Sequence, residues 1–102
     1  LEKVGCHHLC VSSGGNTPNP QIPIGPHYQV HLAKTIKQNT NMVVRAVGMI
    51  TDPIKANEII INNDADMVAM ARAFLTNPRW VWDAAKVLDE DIEVPPQYAR
   101  RL

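Results

Sequence analysis

The feature that most narrows the fold of this chain is an alternation of short, β-rich apolar runs with amphipathic helical stretches. The first run, Cys6-His7-His8-Leu9-Cys10-Val11, stops in Ser12-Ser13-Gly14-Gly15, as a strand ending in a turn does. From Tyr28 to Gln38 the period lengthens. Tyr28, Leu32 and Ile36 recur every four residues with Lys34 and Lys37 off that stripe, which predicts an amphipathic helix ended by Asn39-Thr40-Asn41. Residues 42–50 are almost continuously apolar, as in a parallel strand covered on both faces. Thr51-Asp52-Pro53 predicts a helix start, because Asp52 can cap free N–H groups and Pro53 sits where its missing N–H costs nothing. Ala56, Ile59 and Ile60 are its expected buried stripe, and Asn62-Asn63-Asp64 closes it. A third strand is expected over 67–70, then a short turn or helix over 73–75. A last helix over 80–88 is expected to bury some of Trp80, Ala84, Val87 and Leu88.

Strands alternating with helices imply parallel pairing and right-handed crossovers. Two architectures fit: a slice of a (β/α)8 barrel or a small open doubly wound sheet. At 102 residues there is room for one domain at most. A three-stranded sheet leaves two unpaired edges, and the 42–50 run carries no protective Pro or Lys, only Arg45. Together with a first residue, Leu1, that leads almost at once into apolar sequence, this favours a piece of a longer polypeptide. A hydrophobic fraction of 45% and a charged fraction of 20% exclude disorder, collagen and coiled coil. No apolar run approaches the roughly 18 residues of a membrane-spanning helix. Lys+Arg and Asp+Glu number 10 each, so the basic excess of a nucleic-acid binder is missing. Two cysteines and no leader pattern point to a reducing, cytoplasmic setting.

In parallel α/β folds, ligands meet the carboxyl ends of the strands. Three such ends are expected here: Ser12-Ser13-Gly14-Gly15, Gly48-Met49-Ile50-Thr51 and Ala71-Arg72. Glycine admits a ligand close to the backbone, N–H groups at a helix start cradle phosphate, and a guanidinium clamps its oxygens. A phosphate-bearing cofactor across the second and third strand ends is the favoured reading. The competing one makes Gly48 a turn glycine and Arg72 a solvated charge. Residues 16–27 hold four prolines, at 18, 20, 23 and 26, and form a long loop.

Several motifs together resemble the later part of the Old Yellow Enzyme family of NADH:flavin oxidoreductases. They are Val11-Ser12-Ser13-Gly14-Gly15-Asn16, Ile22-Pro23-Ile24-Gly25-Pro26 with Tyr28-Gln29-Val30, Ala46-Val47-Gly48-Met49-Ile50-Thr51-Asp52-Pro53, Ala65 to Arg72, Asn77-Pro78 and Pro95-Pro96-Gln97-Tyr98-Ala99-Arg100. The likeness is greatest to the family's bacterial YqjM-like ene-reductase branch. It implies an FMN-dependent (β/α)8 barrel of which residues 1–102 supply about the last three βα units, with 89–102 as a C-terminal tail. It further implies a flavin reduced by NAD(P)H that passes hydride to an activated alkene such as an enone. Gly48, Ala71 and Arg72 match positions that hold the FMN phosphate, Ala71 standing where the family has glycine. If that position requires positive φ, its Cβ costs on the order of 1 kcal/mol. Ser12 and Ser13 match a strand end near the flavin. Arg100 matches an arginine that reaches a neighbouring subunit's substrate site, which implies a homo-oligomer, although Arg101 and Leu102 diverge from the usual ending. Catalytic residues and the N-terminal barrel portion would lie upstream, leaving this segment incompetent alone. The alternative is a non-catalytic phosphate- or nucleotide-binding βα module.

Other constellations are weaker. Cys6, His8 and Cys10 alternate onto one strand face, but three strand residues converge poorly on one ion, so no metal site is expected. His27 and His31, four apart near a helix start, read as an exposed helix face. Trp80 and Trp82 are expected to pack the last helix on the core.

Overall fold

The computed structural model describes residues 1–14, 17–19, 21 and 24–100. Three parallel strands, β1 (His8–Val11), β2 (Val43–Val47) and β3 (Met67–Ala69), form one sheet in the order β1-β2-β3. Helices α1 (Val30–Asn39) and α2 (Pro53–Ile61) connect them, and α3 (Arg72–Thr76) and α4 (Trp80–Val87) follow β3. Short 3-10 turns lie at Glu2–Val4 and Pro96–Tyr98. Strand order does not reverse among the described residues, and such a reversal is what marks a doubly wound sheet. The fold is thus α/β, with a small parallel sheet such as part of a (β/α)8 barrel contains. Gly15, Asn16, Pro20, Ile22, Pro23, Arg101 and Leu102 lie outside the described residues, so parts of the Pro-rich loop and of the matched motifs do too.

Local chemistry sets the helix limits. Asp52 Oδ1 accepts from the Ile54 N–H at 2.9 Å, so the cap expected before Pro53 forms. At the end of α1, Asn39 Nδ2 donates to the Thr35 carbonyl and Thr40 Oγ1 to the Ile36 carbonyl, covering groups the last turn leaves free. The core joins Val11, Val44, Ala46 and Ile50 to Ala33 of α1, Ala56 and Ile59 of α2, and Ala65. Alanines at 33, 46 and 56 keep the helices close to the sheet. Asp66 fastens the layers: its carboxylate accepts from the Val44 N–H at 2.8 Å and pairs with Lys37 of α1.

Three expectations change. First, β2 stops at Val47, because Gly48 (φ +113°) and Met49 (φ +52°) leave the extended region. Second, β2 is covered on one face, not both. Val44 and Ala46 are buried under the helices, while Val43 on the other face is 40% exposed. Being the central strand, β2 is also not an edge; β1 and β3 are, so its lack of edge protection carries no weight. Third, Ile60 lies at the surface. The buried side of α2 is Ala56 and Ile59, which face the sheet one turn apart.

Candidate functional site

The carboxyl ends of β2 and β3 come together around a cleft of about 290 Å³, lined by residues 47–51 and 70–73. Gly48, Ala71 and Arg72 therefore share one site, as their spacing suggests. Such a volume lies at the lower limit for small-molecule pockets, enough for one end of a cofactor.

Gly48 cannot be replaced freely. At φ +113° a Cβ there would lie 2.6 Å from Gln29 Nε2 and 2.9 Å from Tyr28 Cε1. The Gln29 side chain cannot yield cheaply, since the residue is only 4% exposed and both ends of its amide are hydrogen-bonded. Its Nε2 donates to the Val47 carbonyl at 2.9 Å, and its Oε1 accepts from the Ser13 N–H at 2.7 Å and the Ser13 hydroxyl at 3.0 Å. Gln29 thus ties the end of β1 to the end of β2 and sets the wall behind Gly48. Residue type gave no sign of this, because glutamine is ordinarily a surface residue. The only pointer was its place inside the Tyr28-Gln29-Val30 motif.

Ala71 has φ −108° and ψ −65°, so the strain expected from its Cβ at positive φ does not arise. Arg72 opens α3 with an exposed side chain and donates from Nη2 to Met49 Sδ at 3.3 Å, bridging the two strand tips. No carboxylate pairs with it among the described residues, and no acidic residue lines the cleft. The neighbouring Asp52 is committed to capping α2. A guanidinium whose partner is a thioether, beside the apolar side chains of Val47 and Met70, leaves its charge available to an anion. The residues present therefore suit the anionic end of a ligand such as a phosphate.

The other candidates lie apart. Ser12 and Ser13 follow β1 outside the cleft lining; Ser13 is spent on Gln29 and Ser12 is exposed. Arg100 is exposed just beyond the 96–98 turn, also outside that lining. Cys6 precedes β1, so only His8 and Cys10 share a strand face, both exposed. His27 (φ +57°) lies before α1 and shares no helical face with His31. Trp80 packs on the core as expected, and its Nε1 donates to the Thr51 carbonyl at 2.9 Å, joining the start of α4 to the cleft. Trp82 instead faces the tail, its ring edge-on to Tyr98 at 5.4 Å.

Against known proteins, residues 11–91 match the model of the NADH:flavin oxidoreductase / NADH oxidase family. An NADPH dehydrogenase of Halalkalibacterium halodurans is 43% identical over 100 residues, which is 98% of this chain and 29% of that protein. Proteins of the same name from Geobacillus sp. (strain WCH70) and Listeria monocytogenes are each 41% identical. Those matches cover 98% and 94% of this chain and 29% and 28% of the relatives. The chain thus spans less than a third of the length of the curated relatives it matches.

Proposed function

This chain belongs to the NADH:flavin oxidoreductase / NADH oxidase family, and from that premise we propose that it is the phosphate-holding part of an FMN-dependent, NAD(P)H-oxidising enzyme. The observation that carries the reading is the Arg72 guanidinium, paired with no carboxylate among the described residues and set beside Gly48 in one cleft at the strand ends. Arg72 would neutralise the terminal phosphate, and the backbone at Gly48 and Ala71 would stand against it. Gln29 would keep that backbone in place. When bound there, FMN would supply the hydride-transfer chemistry between NAD(P)H and the alkene of an enone or similar acceptor.

The architecture proposed for the whole protein is a (β/α)8 barrel of which this chain would supply about the last three βα units, the remaining strands pairing with the edges of β1 and β3. What supports that placement is the cleft at the ends of β2 and β3, since barrel enzymes often hold phosphate after their last two strands. Turnover then requires residues outside these 102, because one wall of a cavity cannot hold nicotinamide, flavin and alkene at reacting distance. The setting is cytoplasmic, and the full-length protein is a homo-oligomer in which Arg100 meets a neighbour's substrate.

The test is a fluorescence titration of the purified chain with FMN and with riboflavin, which lacks the phosphate. FMN should bind at least about tenfold more tightly, the equivalent of one charge-assisted bidentate contact. Arg72→Ala should erase the difference. Equal affinity for the two flavins, or no saturable binding of either, overturns the reading.

A further inference from the structure

The tail after α4 is not free. It leaves the helix through Asp89, in a left-handed conformation at φ +54°, and runs without regular structure, with Ile92 and Val94 half-buried along the way. At Pro96–Tyr98 it tightens into a 3-10 turn in which the amides of Tyr98 and Ala99 donate to the carbonyls of Pro95 and Pro96. That turn lies against the opposite end of α4 from the one the chain has just left. Tyr98 meets Trp82, in the first turn of α4, at 5.4 Å and 60°. The Arg79 guanidinium, at the cap of the same helix, lies 5.0 Å from the Trp82 ring centroid and 4.6 Å from that of Tyr98. One cation thus serves two aromatic faces, one from the helix and one from the tail. No carboxylate competes for it among the described residues; Asp83, the nearest acid in sequence, accepts from Asn77 Nδ2 at 2.6 Å.

The position of this cluster gives it a role. In a βα unit the helix begins at the end of the sheet where the strand finishes, and α4 is held there by the Trp80 bond to the Thr51 carbonyl, a residue of the cleft. A tail fastened to the start of α4 is therefore fastened at the ligand end of the molecule. Arg100 follows Tyr98 by two residues and is exposed.

We propose that Arg79 is the positioning residue of the tail: clasped by Trp82 and Tyr98, it docks residues 95–99 on the start of α4 and presents Arg100 at the cleft end of the sheet. The value of this to catalysis rests on the reading of Arg100 as a substrate contact, but the docking itself does not. Pre-docking removes most of the ordering cost that a loose tail would incur on meeting an anionic or carbonyl oxygen.

Hydrogen exchange of the complete chain tests the docking at the Tyr98 and Ala99 amides. Arg79→Ala should speed their exchange roughly five- to thirtyfold, the loss of two cation–π contacts, and leave the β2 amides unchanged. Tyr98→Phe keeps the ring and should exchange as wild type, whereas Tyr98→Ala should match Arg79→Ala. Arg79→Lys, with the charge but no planar fork, should fall between them. The near-ultraviolet circular dichroism of Trp82 should change in step. Unaltered exchange at 98 and 99 in Arg79→Ala, or equal loss in Tyr98→Phe, overturns the proposal. The relative affinity for FMN and riboflavin should be the same in Arg79→Ala as in wild type, so a failed phosphate site and a failed tail clamp are separable.

Discussion

Gly48→Ala is the substitution whose cost the structure defines most closely. The residue sits at φ +113°, where an L side chain costs about 1–3 kcal/mol of backbone strain. Its new Cβ would also arrive 2.6 Å from Gln29 Nε2. Moving that amide breaks its bond to the Val47 carbonyl and disturbs those from Ser13, at about 1 kcal/mol for each bond lost. The sum is about 2–5 kcal/mol, a large share of the 5–15 kcal/mol that holds a typical domain together. With an m-value of about 1.5 kcal/mol/M, urea denaturation followed by circular dichroism should show the midpoint falling by roughly 1–3 M. Removing the obstacle should restore part of the loss. Gly48→Ala combined with Gln29→Ala should be at least about 1 kcal/mol more stable than the two single costs added together. A Gly48→Ala midpoint within about 0.3 M of wild type, or strict additivity in the pair, would refute the reasoning.

Asp66 should give the protein an acid-sensitive latch. Its hydrogen bond from Lys37, then that from the Val44 N–H, hold its carboxyl below the ordinary value of 3.8. A depressed folded pKa means stability that is complete above the unfolded value and is lost as the pH falls below 3.8 through the folded value. Because the carboxylate is 36% exposed, solvent screening limits the effect to about 1 kcal/mol or less. Asp66→Asn should therefore flatten that part of a stability-versus-pH curve, and an unchanged slope there would count against the latch. Asp52→Ala removes the cap of α2 and should cost about 1 kcal/mol, read as a lower urea midpoint at constant m, whereas Asp52→Ser should recover most of it.

The elements and their order were legible in the sequence because helical and strand periods alternate and strong punctuation separates them. Asp52-Pro53 fixed the start of α2 to the residue. What escaped were features set by tertiary position. The run from 42 to 50 is apolar except for Arg45, so its pattern alone draws no sharp limit between the strand, which stops at Val47, and the Gly48 to Thr51 segment expected at its carboxyl end. In α2, isoleucines at 54, 59, 60 and 61 surround the helix, so periodicity alone could not choose Ile59 over Ile60 as the buried one. At the site, the convergence of Gly48, Ala71 and Arg72 followed from strand ends in a parallel sheet. The Gln29 brace did not, because a buried amide linking two strand ends depends on contacts 16 and 18 residues away. The Arg79 clasp was hidden for the same reason, its second ring coming from the tail.

The most direct measurement is an amide nitrogen–proton correlation spectrum of the labelled chain during addition of FMN. Joint capture of the phosphate by the tips of β2 and β3 predicts shifts concentrated at residues 47–51 and 70–73, saturating together and absent in Arg72→Ala. Shifts at one tip without the other, or gathered elsewhere on the surface, would contradict it.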